Sequence, residues 1–384
     1  MSKLTFKKPH LKSLTRLRFF AIISIVLFHH GGALCILGST ICNSIGYGYV
    51  SVSLFFTLSG FLLAYVYLDP KNLQPVEAKK FWIARFARID PLYLLSLFAS
   101  FPSFASKFDY FSGSFTTTLK GILSAFLSLL LLQSWTPWTS TIFNTPTWAV
   151  SNEAFFYFIF PFIAIPIARL SKRKLIYLAA TLWVFALLPP IYLSDLFRVK
   201  NETFSDLWLP FFAYSPWFHL PQFLIGICTG VLFLNKEKWN FKRKFYSIAC
   251  NLLLGVFCLS IFSIFATNSE SRYVFLSNGL LAPFFCIVIL YLARSKGLFS
   301  NFIASPKVLI LGEASYAIYL FQNPLLSLMK RLPIHLLGVN SLSIPLFDLI
   351  FLGLYIFVLI LWSVFATYAI ESPMRRILIN RFNK

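Results

Sequence analysis

The chain has 384 residues, 58% of them hydrophobic and only 12% charged, and its mean hydropathy is +0.74. A soluble domain carries about 25% charged residues because most of its surface meets water, so this composition excludes a water-soluble domain and predicts an all-α integral membrane protein. The formal charge of +21 does not mark a nucleic-acid partner, because Lys and Arg sit in short clusters between apolar runs, as the cytoplasmic bias of basic residues in membrane proteins dictates.

Apolar runs lie near 17–37, 47–68, 91–105, 119–135, 148–168, 175–193, 215–234, 245–266, 275–293, 308–329 and 345–369. The first is too long for a signal-peptide core and lacks a small-residue cleavage site, so it reads as a permanent helix behind the basic segment Lys3, Lys7, Lys8, Lys12 and Arg16. Basic loops at 71–88, 169–174, 236–244 and 294–307, with the basic tail Arg375, Arg376, Arg381 and Lys384, belong with the N-terminus on the cytoplasmic side. The number of crossings must then be even. That leaves about ten transmembrane helices, with one re-entrant or partially inserted segment between residues 91 and 135. The loop at 330–344, carrying Lys330 and Arg331, is a mild exception to the charge rule. Residues 1–384 read as a single transmembrane domain without a soluble one. The six cysteines show no CxxC spacing, and only Cys35 and Cys42 are placed to form a disulfide outside the membrane.

Four stretches carry polar groups where lipid makes them costly. In LTRLRFFAIISIVLFHH, Arg18 and His29 are eleven residues apart, close to three helical turns, so they share a face about 16 Å apart along the axis. Arg18 falls at the cytoplasmic end and His29 well inside, and an ionisable group at that depth is a functional candidate by default; a neutral histidine bonded between helices is the plainer alternative. His30 points about 100° away and reads as a packing or interfacial residue. In KKFWIARFARIDPLYLL, Arg85 and Arg88 are helix neighbours, suited to gripping phosphates or equally to anchoring at lipid headgroups.

The third stretch, NTPTWAVSNEAFFYFIFP, places Glu153 in a span with no other charge before Arg169. Counted from the outer face, Glu153 is about 7 Å deep, a depth at which it can meet and orient His29; an interfacial glutamate is the alternative. In the fourth, VLILGEASYAIYLFQNPLL, Ser315, Tyr319 and Gln322 form a polar stripe for gripping a ligand or bonding to another helix. His219, in YSPWFHLPQFLIG, is a weaker candidate for the acceptor side, with interfacial placement beside Trp217 favoured. No G-x-S-x-G, P-loop, H-E-x-x-H or His/Cys cluster with metal spacing occurs, so neither a serine hydrolase nor a metal site is expected.

Together and in order, these stretches resemble the acyltransferase-3 family of bacterial membrane-bound acyltransferases, over roughly 14–373. Its L-x-x-L-R-x-x-A opening with a following histidine is matched by Leu14, Leu17, Arg18, Ala21 and His29, and its F-x-x-S-G-F by Phe56, Ser59, Gly60 and Phe61. R-x-x-R-I-x-P-x-Y is matched by Arg85, Arg88, Ile89, Pro91 and Tyr93, and W-S-L-x-x-E-x-x-F-Y by Trp148, Glu153, Phe156 and Tyr157. G-x-x-S-Y-x-x-Y-L is matched by Gly312, Ser315, Tyr316, Tyr319 and Leu320. The chain departs from the family in Ala149 and Val150 for Ser-Leu, in Arg16 for a frequent glycine, in Asp90, and in Gln322 where many members have histidine.

The resemblance implies an O-acyltransferase of the bacterial inner membrane with both termini cytoplasmic. It would move an acyl group, usually acetyl, from cytoplasmic acyl-CoA to a hydroxyl of a cell-surface or exported carbohydrate or glycolipid. Acetyl-CoA or another acyl-CoA is then a donor substrate rather than a resident cofactor, and the partners are that donor, the acceptor and membrane lipids. In this reading Arg85 and Arg88 hold the donor phosphates and His29 is the general base. Glu153 orients His29, and Arg18 steadies the donor or developing charge. Trp148, Ser315, Tyr316, Tyr319 and Gln322 contact substrate or shape the site. A covalent acyl-enzyme on Ser315 or His29 stays open. The rival class is a polytopic transporter or flippase, which would use the same charges as a substrate path; the internal symmetry many transporters carry is not evident in the sequence.

Overall fold

The computed structural model describes residues 8–69, 72–111, 115–199, 210–235, 276, 278–294, 305–337 and 345–382. Its longer helices are α1 (Lys12–His30), α2 (Ser39–Gly46), α3 (Val50–Tyr67), α4 (Ala78–Phe111), α5 (Phe115–Leu129), α6 (Trp148–Ala168), α7 (Lys172–Val199), α8 (Pro216–Leu234), α9 (Ala282–Arg294), α10 (Pro306–Glu313), α11 (Ser315–Leu337), α12 (Pro345–Ala366) and α13 (Ser372–Phe382). The described residues form no strand. Five helical segments among them are long and apolar enough to cross a membrane: Lys12–Leu37, Ser39–Tyr67, Thr145–Ala168, Pro210–Leu234 and Phe347–Phe382. Large apolar side chains point outward, with Phe98 79% exposed and Phe162 59% exposed, as a surface facing hydrocarbon requires. The protein is therefore a helical membrane protein.

The described parts of the apolar runs fall largely on helices, and the following differences bear on the site. The basic segment 78–88 is not a loop but the first turns of α4, which continues through Pro91 and Pro102 to Phe111; Arg85 and Arg88 are thus helical neighbours in fact. The run at 308–329 breaks at Ala314 into α10 and α11. The run at 119–135 is α5 followed by a short 3-10 turn, Gln133–Trp135. The expected span 245–266 and the loop 236–244 lie outside the described residues.

Helix α3 packs against α8 backbone to backbone. A Cβ added at Gly60 would lie 2.0 Å from the Phe223 carbonyl oxygen, and one at Gly226 would lie 2.1 Å from that of Thr57. With Gly230 facing Ala64 and Phe61, this is a small-residue seam of the kind that lets membrane helices approach closely. Gly312 does the same for α10 against α1, where a Cβ would meet the Thr15 carbonyl oxygen at 2.0 Å. Contacts in the order 57 to 226 and 64 to 230 make α3 and α8 parallel neighbours.

Between α5 and α6 the chain turns back into the protein. Leu131 takes a left-handed φ of 58°, and the Leu132 N–H reaches back 2.8 Å to the Leu127 carbonyl, the Schellman geometry that ends a helix. The Ser151 hydroxyl holds the Leu131 carbonyl at 2.6 Å. The returning segment buries Gln133, Ser134, Thr139, Ser140 and Asn144. Each finds partners, Gln133 Nε2 donating to Tyr93 and to the Thr147 carbonyl, and Asn144 Nδ2 to the Leu320 carbonyl on α11. Most buried polar groups are bonded in this way, although Gln133 Oε1 and Asn144 Oδ1 have no hydrogen-bond partner.

Candidate active site

Helix α1 organises the site because α10 and then α11 lie along it in the same direction. Gly312 meets Thr15 near its N-terminal end, and Gln322 meets His29 near its C-terminal end. The stripe Ser315, Tyr319, Gln322 therefore runs beside α1 from the level of Arg18 towards that of His29. Polar groups stand at each end.

Towards the N-terminal end of α1 a cavity of about 90 Å³ is lined by Arg18, Ser59, Arg88, Glu153, Ser315, Tyr316 and Tyr319, among others. Glu153 accepts hydrogen bonds from the Tyr157 hydroxyl and, at 3.3 Å, from the Ser59 hydroxyl. Arg18 interacts electrostatically with Arg88, Glu153 and Arg85, while its Nε is buried without a hydrogen-bond partner. Arg85 is fixed by a 2.9 Å bond from Nη2 to the Tyr67 hydroxyl and lies over the Tyr67 ring at 5.2 Å. Tyr316 donates to the Ile89 carbonyl at 3.1 Å, tying α11 to the arginine-bearing turn of α4. Arg18 and Arg88 thus line one cationic pocket from two helices, with Arg85 within electrostatic reach of Arg18.

At the C-terminal end of α1 a second cavity, of about 430 Å³, is lined by His29, His30, Lys330, Asp348, Tyr355 and neighbours. His29 Nδ1 is 3.1 Å from Gln322 Oε1. Gln322 Nε2 donates to the Tyr319 carbonyl at 3.0 Å, so Oε1 is the acceptor and His29 must donate through Nδ1–H. That tautomer leaves the lone pair on Nε2. Gln322 is itself held, its carbonyl accepting from the Tyr355 hydroxyl at 2.8 Å.

The anticipated meeting of Glu153 with His29 does not form. Glu153 faces the Arg18 end of α1, and Gln322 takes the place beside the imidazole. The physical reason lies in the segment before α6. Because 130–147 folds inward, the first turn of α6, Trp148 to Ser151, is already buried, and Asn144 stands at the level of Leu320. Depth counted from an assumed outer surface therefore places Glu153 too far out. His219 also differs from expectation. It is buried rather than interfacial, its Nε2 bonded to the Ala213 carbonyl at 2.8 Å and its Nδ1 accepting from Gln222 at 3.4 Å. Its ring sits 5.3 Å from that of Trp148. With both nitrogens engaged, His219 and Trp148 form a packed wall rather than a base.

Reasoning from sequence missed Glu371 and Arg375, which the structure brings against the arginine pocket. The available signal was a carboxylate at the very end of the last apolar run. The described residues contain no cluster of three or more metal-ligating side chains.

A family model described as an acyltransferase domain matches residues 11–370. Acyltransferase MdmB of Streptomyces mycarofaciens is 30% identical over 234 residues, covering 58% of this chain and 57% of that protein. Putative peptidoglycan O-acetyltransferase YrhL of Bacillus subtilis (strain 168) is 22% identical over 338 residues, 83% of this chain and 49% of its own length. O-acetyltransferase OatA of Staphylococcus aureus (strain NCTC 8325 / PS 47) is 21% identical over 336 residues, 84% of this chain and 51% of its own. The chain spans about half the length of these curated relatives. No solved structure matches it.

Proposed function

The chain belongs to the acyltransferase-3 family, and on that premise we propose that it is a membrane O-acyltransferase moving an acyl group, typically acetyl, from cytoplasmic acyl-CoA to a hydroxyl of a cell-surface or exported carbohydrate or glycolipid. The observation that carries this reading is the pairing along α1 of a cationic pocket at one end with an imidazole-lined cavity at the other. Anionic donor and neutral acceptor ask for those two environments. The relative named as a peptidoglycan O-acetyltransferase supports a glycan acceptor.

In the reaction, Arg85 and Arg88 hold the donor phosphates, guanidinium to phosphate oxygen, and Arg18 steadies the donor deeper in the pocket. Glu153 sets the position of Arg18 and keeps the cluster from repelling itself apart. The pantetheine arm runs along Ser315, Tyr319 and Gln322 and delivers the thioester near His29. His29 Nε2 takes the proton of the acceptor hydroxyl while its oxygen attacks the thioester carbonyl carbon. The C–S bond breaks, and the CoA thiolate recovers the proton from the imidazolium. Gln322 holds the base in the competent tautomer throughout.

The same reading sets the topology. About ten crossings, with one segment between residues 91 and 135 not crossing, put both termini on the cytoplasmic side of a bacterial inner membrane. The Cys35–Cys42 disulfide at the outer end of α1 accords with this, because disulfides persist on the oxidising side.

The test is incubation of membranes bearing the protein with radiolabelled acetyl-CoA and a panel of glycans and glycolipids. Label should pass to a hydroxyl-bearing acceptor with wild-type protein and fail to pass with His29→Ala. Undiminished transfer by His29→Ala would remove the histidine from the mechanism; labelled acetyl phosphate or acetyl-lipid serving where acetyl-CoA does not would replace the donor.

A further inference from the structure

The end of α12 is not α-helical. Residues Thr367–Glu371 form a π-turn before α13, a wider turn that shifts which side chains face inward and that recurs at functional sites. Here it turns Glu371 into the protein, 8% exposed, with Oε2 buried and without a hydrogen-bond partner. Four residues later, one turn on, Arg375 is half-buried on a helix that packs against α4. Arg375 acts electrostatically on Arg88, Arg85 and Glu371, and Glu371 acts on Arg88, Arg375 and Arg18. Four guanidiniums from three helices, Arg18, Arg85, Arg88 and Arg375, thus interact as one cluster with the carboxylates Glu153 and Glu371, and the exposed Glu313 acts on Glu371.

Topology anchoring does not account for Arg375. An anchor gains by reaching headgroup water, as the exposed Arg376 and Arg381 do, whereas Arg375 turns towards charges of its own sign. Gathering like charges at a half-buried position is unfavourable unless an anion joins them. The order of groups along coenzyme A then decides which anion. The pantetheine end lies deepest, the diphosphate next and the ribose 3′-phosphate last. Arg18 and Arg375 both act on Arg85 and Arg88, and Arg375 comes from beyond the end of α12, so in the topology proposed above it takes the cytoplasmic end of that series.

We propose that Arg375, set by the π-turn and balanced by Glu371, binds the ribose 3′-phosphate of the donor and so selects coenzyme A over nucleotides lacking that group. This rests on the acyl-CoA reading above. Arg85 and Arg88 keep the diphosphate, and Glu371 offsets the charge of Arg375 and Arg88 until the donor arrives.

The experiment measures binding of coenzyme A and of 3′-dephospho-coenzyme A to the full-length protein in nanodiscs. Wild type binds coenzyme A the more tightly. Arg375→Ala weakens coenzyme A roughly 10- to 100-fold, the range for a hydrogen-bonded charge pair, and leaves dephospho-coenzyme A within about twofold. Arg375→Lys restores most of the preference, and Glu371→Gln tightens coenzyme A by removing a repelling charge. Unchanged dephospho-coenzyme A binding doubles as proof that the variant is folded. Equal weakening of both ligands, or of neither, overturns the assignment while the donor reading stands. Wild-type protein that binds neither ligand overturns both together.

Discussion

His29 Nδ1 and Gln322 Oε1 stand 3.1 Å apart, and the second bond of Gln322, to the Tyr319 carbonyl, dictates which of the two donates. A neutral amide, not a carboxylate, therefore orients the imidazole. General-base catalysis is worth about 10²- to 10⁴-fold, so His29→Ala should lower kcat by that range. Gln322→Leu keeps the ring but frees its tautomer and should lose a smaller share, about 10-fold, with thermal stability close to wild type. Transfer assays at saturating donor check this; Gln322→Leu at full activity would remove the amide's role.

Glu153 belongs to the arginine pocket, which separates two kinetic outcomes. If it serves Arg18 and Arg88, Glu153→Gln should raise the KM for the acyl donor several-fold and leave the KM for the acceptor unchanged. If it served His29, kcat would fall and donor KM would hold. Steady-state kinetics with each substrate varied in turn discriminate the two.

Arg85→Ala with Arg88→Ala should weaken donor binding more than either change alone, by roughly 100-fold or more, since each charge-assisted contact contributes about 1.5–3 kcal/mol. Direct binding of coenzyme A to purified protein reads this, and unchanged affinity would refute a phosphate grip.

The α3–α8 seam leaves no space for a methyl group at Gly60 or Gly226. Gly226→Ala and Gly60→Ala should each destabilise by about 1–3 kcal/mol or more, as overpacking does, whereas Gly353→Ala, where nothing lies within 4 Å, should not. Thermal unfolding in detergent tells them apart.

Cys35 and Cys42 are joined, so neither should react with a thiol reagent until reduced. Reduction opens a short loop and should cost about 2–3 kcal/mol by chain entropy. Maleimide labelling of intact cells, before and after reduction, also reports the side of the membrane on which the pair lies.

Much of this was legible along the chain. The alternation of apolar runs and basic clusters determined a helical membrane protein, because hydrocarbon admits only segments that satisfy their own backbone. Helical periodicity put Arg18 and His29 on one face, Arg85 beside Arg88, and Ser315, Tyr319 and Gln322 in one stripe. Those are relationships within single helices, and a repeat of 3.6 residues suffices to read them.

What only the tertiary structure decided lies between helices. Glu153 fell to Arg18 rather than to His29 because the polar segment 130–147 folds inward, so chain distance from a surface no longer measures depth. Gln322, noted as a departure, became the partner of His29 because α11 runs parallel to α1 at a separation set by Gly312 on Thr15. Glu371 and Arg375, the end of an apolar run and a tail anchor in the sequence, joined the pocket because a π-turn rotates them onto α4. Periodicity determines which side chains share a face; close packing decides which faces meet.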